Sequence, residues 1–110
     1  MTTNDLLELD CRNAENLKTL KKALTKIDPL KDVEDVQFEK LEKLINLFKK
    51  RYIVNIPMIL SCSNDGYYSM SIEIKGKKSR WIYGITIYEA YAKASIFLWS
   101  MLKKGNLKKR

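Results

Sequence analysis

The chain predicts an α+β fold: a three-stranded antiparallel meander with helices on one face, in the order α-αβββα. Three observations carry that reading. Apolar residues recur every three or four positions before Tyr52 and again after Thr86, the helical period, and alternate every second position in between, the strand period. The alternating runs are joined by short turns holding Gly66 and Gly76, which makes successive strands antiparallel neighbours. At 110 residues and 45% hydrophobic, the chain has material for a single core, so the expected organisation is one domain over 1–110. Within it, 13–27 is an accessory helix, 36–104 the αβββα core and 105–110 a basic tail.

Leu17, Leu20, Leu24 and Ile27 lie on one face of the first helix, and Asp28-Pro29 closes it, because a residue before proline avoids helical backbone angles. An acidic linker from Asp28 to Asp35 follows. Asp35 is placed to cap a second helix whose apolar face is Phe38, Leu41, Leu44, Ile45 and Phe48. That helix ends near Arg51, with basic residues at the negative end of its dipole.

Ile56, Met58, Leu60 and Cys62 form one face of the first strand, and Tyr68, Met70, Ile72 and Ile74 one face of the second. A three-residue loop, Asn64-Asp65-Gly66 with Gly66 left-handed, pairs Tyr68 with Cys62, Met70 with Leu60, Ile72 with Met58 and Ile74 with Ile56. A two-residue loop would set Met70 against Ser61 and mix the faces. A tight turn at Gly76-Lys77 then pairs Ile72 with Trp81 and Met70 with Tyr83, and sets Glu73 opposite Arg80. In that register Trp81 and Tyr83 belong to the core. The opposite face carries Asn55, Pro57, Ser61, Ser69, Ser71, Glu73 and Gly84, interrupted by Ile59 and Ile82.

Thr86-Ile87-Tyr88-Glu89 reads as a capping box that opens a helix running to about Lys103. Apolar residues cover most of its circumference and leave a polar stripe at Glu89, Lys93, Ser100 and Lys104. The excess is accounted for either by burial beneath the 13–27 helix or by a dimer contact.

From Phe38 to Lys104, the order helix, three strands, helix resembles double-stranded-RNA-binding domains. The residues that carry the likeness are Gly84-Ile85-Thr86-Ile87-Tyr88-Glu89-Ala90 at the last junction, with Ala94 following. The resemblance implies the αβββα fold and RNA binding. That family's helix start bears lysines that straddle the RNA major groove; here those places are Ile87, Tyr88 and Tyr91. The Ser63-Asn64-Asp65-Gly66 loop also lacks the family's Pro and His. The same element order resembles small proteins of bacteriophages and mobile elements.

Charge is distributed unevenly. From Lys49 onward there are 13 Lys and Arg against three acids, Asp65, Glu73 and Glu89, so a +10 segment follows a −2 segment and the net is +8. Such asymmetry points to a polyanionic partner. The basic residues gather in three clusters: Lys49, Lys50 and Arg51; Lys75, Lys77, Lys78 and Arg80; and Lys103 and Lys104 with Lys108, Lys109 and Arg110. Strand direction brings them together. A helix ending at one pole, a strand leaving it, a hairpin returning to it and a last helix ending there place all three clusters at that pole. Tyr52, beside Arg51, is the candidate for base stacking.

Catalytic constellations are sparse. The chain has no histidine, its two cysteines, Cys11 and Cys62, lie far apart, and its four glycines are scattered, which argues against a zinc site, a disulfide framework and a phosphate loop. Glu73-Ile74-Lys75 has the spacing of a metal-dependent nuclease, but Asp65, the nearest second acid, is expected on the order of 20 Å away at seven strand residues. Acids at the start of the chain, and Glu89 and Lys93 within the longest apolar run, argue against a signal or a membrane span.

The expectation is therefore a non-enzymatic, cytoplasmic nucleic-acid-binding module without cofactor or metal. Its partner is RNA or DNA, it does not engage a membrane, and it is a monomer or homodimer. The contacts would come from Lys49, Lys50, Arg51, Tyr52, Lys75, Lys77, Lys78, Arg80, Lys103, Lys104, Lys108, Lys109 and Arg110. The alternative is a protein-interaction module, such as a phage-type inhibitor of a host defence enzyme, using Tyr88 and Trp99 on the last helix.

Overall fold

The computed structural model describes residues 1–31, 33, 35–62 and 66–110, and within 58–62 the backbone alone. Its elements run α1 (Thr3–Leu7), α2 (Ala14–Leu24), a 3-10 turn (Asp28–Leu30), α3 (Phe38–Arg51), β1 (Val54–Cys62), β2 (Tyr68–Ile74), β3 (Arg80–Gly84) and α4 (Ile87–Lys103). The strands form one antiparallel sheet in the order β1-β2-β3. α4 lies against β2 and β3, α3 against β1 and α4, and both α1 and α2 pack on α4. The chain is α+β, as its periodicities predict.

Side-chain caps explain where the helices begin. The Thr2 hydroxyl accepts from Asp5 N while the Asp5 carboxylate accepts from Thr2 N, a capping box that makes α1 out of five residues too few to show a period. Asn13 caps α2 through Glu15 N at 2.8 Å. α2 stops at Leu24, three residues short of the expected end, and the chain tightens into three-residue turns there. The Thr25 hydroxyl donates to Lys22 O, and Ile27 N reaches Leu24 O. Ile27 stays in the core nonetheless. Asp35 does not cap α3: the N-cap is Gln37, and the Asp35 carboxylate instead accepts from Gln37 Nε2 and lies 3.8 Å from Lys21 Nζ.

At the first hairpin Cys62 pairs with Tyr68 as expected, and Gly66 has φ +80° in the left-handed region that suits glycine. Asn64 and Asp65 lie outside the described residues, as do the side chains of Met58 and Leu60. Farther along, the expected register fails. Ile74 pairs with Val54 rather than Ile56, and Ser71 rather than Ile72 pairs with Met58, because β1 carries two register shifts, between Asn55 and Met58 and between Met58 and Ser61. Pro57 falls inside the first; with no N–H it cannot continue the ladder, and a bulge absorbs the gap.

The second hairpin corrects the sequence reading more deeply. Ile72 pairs with Arg80, Ser71 with Trp81, Met70 with Ile82, Ser69 with Tyr83 and Tyr68 with Gly84. This is one residue away from the expected register, and such a slip turns every side chain of the strand over. Ile82 is therefore core, whereas Trp81 and Tyr83 are 44% and 53% exposed on the face away from the helices. Glu73 does not face Arg80; its carboxylate accepts from Asn55 Nδ2 at 3.2 Å. Close packing of Gly84 selects this register. A Cβ on Gly84 would stand 2.7 Å from Ala90 N and 3.1 Å from Glu89 Cβ, so glycine must face α4, and alternation then sends Tyr83 and Trp81 outward.

The core between sheet and helices holds Val54, Ile56, Met70, Ile72, Ile74 and Ile82 against Leu41, Phe48 and Leu98, with Leu20, Leu24 and Ile27 on the far side of α4. The apolar excess of α4 is thus taken up largely within the chain. Glu89 and Lys93, expected on a solvent stripe, are each 3% exposed. Thr86 caps α4 through Glu89 N at 3.1 Å, but the Glu89 carboxylate reaches past the cap to Ile85 N at 3.2 Å and binds Lys93 Nζ at 3.0 Å. Lys93 Nζ also donates to Leu9 O at 2.7 Å and Tyr83 O at 3.3 Å. All three ammonium protons are used, which is what allows a charged pair to be buried. The pair clamps the segment after α1 to α4 and to β3. No helix among the described residues is long and apolar enough to cross a membrane.

Candidate nucleic-acid interface

Geometry at the end of α4 decides where the basic tail goes. Gly105 takes φ +73°, with Asn106 N bonded to Met101 O and Gly105 N to Leu102 O, the paired bonds of a Schellman stop. The chain turns back there and Leu107 packs on the core. The tail then runs beside the α3–β1 junction: Ile53 N donates to Lys108 O at 2.7 Å, Tyr52 bridges to Lys109, and Arg110 N donates to Arg51 O at 2.9 Å. The Arg110 guanidinium donates to Lys49 O through Nε at 2.8 Å and to Val54 O through Nη2 at 3.3 Å. Those carbonyls include the end of α3, where a cation is favoured.

Two shallow grooves meet at Arg110. One of about 420 Å³ is lined by Lys50, Arg51, Tyr52, Lys109 and Arg110. The other, about 460 Å³, runs from Arg110 past Val54 and Glu73 to Lys75, Lys77 and Ser79 on the β2–β3 turn. The end of α3, the β2–β3 turn and the tail therefore lie side by side. Lys50, Arg51, Lys75, Lys77, Lys78, Lys108 and Lys109 are exposed there, and Lys49 is half-buried. Among the described residues, the only acid lining either groove is Glu73, held by Asn55.

Other expected contacts sit apart from this surface. Lys103 and Lys104 line a groove with Met1, Leu6 and Lys26, on the α1–α2 side, and Lys103 Nζ stands 5.7 Å from the Trp99 ring centroid. Arg80 is half-buried on the other side of its hairpin, toward α4. The Tyr52 ring leans on Phe48, with centroids 5.8 Å apart, and is half-buried. Tyr88 donates to Val36 O at 2.7 Å, with Lys21 Nζ 5.5 Å from its ring centroid, and Trp99 is half-buried against α1 and the end of α2. Both residues of the protein-interaction alternative are thus engaged within the fold.

The expected register assigned Trp81 and Tyr83 to the core, and the observed one instead makes them part of a second surface. Along β3 runs a groove of about 540 Å³, walled on one side by Trp81 and Tyr83 and on the other by Leu7 to Asp10, with Arg80 and Tyr67 at its margin. Arg80 Nε is buried and has no hydrogen-bond partner among the described residues. The acids of the far wall are partly neutralised: Asp10 pairs with Arg12 at 2.7 Å, which holds its carboxyl down at about 2, and Glu89 pairs with Lys93. Burial and then the Glu89 carboxylate push the nearby Cys11 thiol up to about 11, so it stays protonated and is a poor nucleophile. No cluster of three His, Cys, Asp or Glu side chains among the described residues is arranged to hold a metal ion. The second acid of the nuclease-like spacing, Asp65, lies outside the described residues.

No protein-family model, curated protein or solved structure matches this chain.

Proposed function

We propose that the protein is a small non-catalytic nucleic-acid-binding module that holds phosphates on the basic pole formed by the end of α3, the β2–β3 turn and the tail. The observation that carries this reading is the tail pinned by Arg110 between the other two clusters, which gathers cations from three distant stretches of chain onto one surface with a single acid among the described residues. Exposed cations so close together repel one another, a cost that a polyanion relieves while releasing its condensed counterions. Arg110 positions the tail through carbonyls; Lys50, Arg51, Lys75, Lys77, Lys78, Lys108 and Lys109 are the ones open to phosphate.

The αβββα order is compatible with a double-stranded-RNA-binding-domain-like fold. The ligand site proposed here is nevertheless at the opposite pole from the start of α4, where that family carries its lysines and this chain has Ile87, Tyr88 and Tyr91.

Fluorescence anisotropy of labelled oligonucleotides across a salt series tests the reading. Five engaged cations give a log–log slope of about −4.5 on a duplex and about −3.5 on a single strand, a loss of affinity of about 500-fold or about 130-fold between about 50 and 200 mM salt. Absence of binding at the low-salt end rejects the proposal.

A further inference from the structure

We infer that the nucleic acid is single-stranded and that its bases stack on Trp81 and Tyr83. This rests on the nucleic-acid reading above and names the form of nucleic acid that the same surface takes. Two large aromatic side chains stand exposed at i and i+2 on one strand face, opposite Ser71 and Ser69, on the side of β3 turned away from α4. Burying them was open to the sequence and did not happen, because Gly84 holds the other face of β3 against α4.

Residues two apart on a strand are about 7 Å apart, roughly twice the 3.4 Å rise per nucleotide of a duplex strand. A duplex also keeps its base faces covered by neighbouring bases. Only a strand with splayed bases can seat one base on each ring.

The phosphates have a continuous path from there. Trp81 follows Lys77, Lys78, Ser79 and Arg80 along the same hairpin, and Ser79 lines both the β3 groove and the groove that leads to Arg110. A strand lying on the two rings therefore runs its backbone onto the basic pole. On the far wall, Asp10 and Glu89 have cationic partners, and Glu8 keeps phosphates on the hairpin side.

An extended polypeptide adding to the free edge of β3 fits less well. The Tyr83 carbonyl is already taken by Lys93, and the Leu9 segment is clamped beside that edge by the same ammonium.

The chain has two tryptophans, so Trp99→Phe makes Trp81 the sole indole reporter. Titration of this variant with a single-stranded oligonucleotide should quench its emission, and a duplex of equal length should bind more weakly without quenching. In the otherwise native chain, Trp81→Ala and Tyr83→Ala should each weaken single-strand binding about tenfold while leaving the salt slope unchanged, since stacking releases no counterions. Trp81→Phe should recover most of the loss, which separates stacking from a folding defect. Duplex binding that equals or exceeds single-strand binding, or alanine variants of parental affinity, overturns the inference and leaves the basic-pole reading standing. If neither form binds, that reading fails and this inference with it, and the rings are left to a protein partner.

Discussion

Replacing Lys93 by Met tests the internal clamp that builds the far wall of the β3 groove. The substitution keeps the aliphatic stem and removes an ammonium whose protons go to Leu9 O, Glu89 Oε2 and Tyr83 O at 2.7, 3.0 and 3.3 Å. Both side chains of the pair are 4% exposed, so water cannot take over the carboxylate. Breaking a buried pair by removing one partner costs about 3–5 kcal/mol. A domain of this size has about 5–15 kcal/mol in all, so the loss is a large share of the total. Urea unfolding followed by far-UV circular dichroism reads it as a large fall in midpoint at unchanged slope. The double variant Glu89→Gln, Lys93→Met removes the orphaned charge, and its amide can still accept from Ile85 N. It should recover more than half of the loss, giving a coupling energy well outside additivity. A single variant within about 1 kcal/mol of the parent, or a strictly additive double, refutes the buried clamp.

Two further outcomes follow from the same packing. Gly84→Ala forces a methyl group against Ala90 N and should cost about 1–3 kcal/mol in urea unfolding; parental stability would mean that β3 does not approach α4 as described. Cys11, raised from 9.0 to about 11, should alkylate slowly in a Cys62→Ser background until the pH nears 11. Its folded state holds the proton more tightly than the unfolded chain does, so the associated stability is complete below about pH 9 and fades as the pH climbs toward 11. A rate that already levels off near pH 9 contradicts its placement beside Glu89.

Element types were legible because the period changes twice along the chain, and Thr86 marks the start of α4 through its own side chain. The convergence of the clusters was legible in part. Strand directions bring the α3 end and the β2–β3 turn together, but the return of the tail to Tyr52 depends on the Gly105 stop, and Lys103 and Lys104 stay on the α1–α2 side. The face of β3 was not legible from alternation, since Arg80-Trp81-Ile82-Tyr83-Gly84 places apolar residues on both faces and either register looks self-consistent. What decides is the absence of a side chain at Gly84, a packing need that hydrophobic pattern does not express. Glu89 and Lys93 misled for a related reason. Charge ordinarily marks a solvated stripe, but four apart on a helix the two neutralise each other, and carbonyls of Leu9 and Tyr83, distant in sequence, complete the shell.

Whether phosphates bind at one pole, rather than to a diffuse positive charge, is tested most directly by the salt dependence of oligonucleotide binding in two double variants of equal net charge. Lys77→Glu with Lys78→Glu alters the exposed β2–β3 turn, and Lys18→Glu with Lys22→Glu alters α2 in the acidic half. The turn variant should bind far more weakly, with its slope reduced by about 0.7 on a single strand, or about 0.9 on a duplex, for each phosphate it no longer holds, while the α2 variant keeps nearly the parental affinity and slope. Equal losses in the two variants would contradict the account.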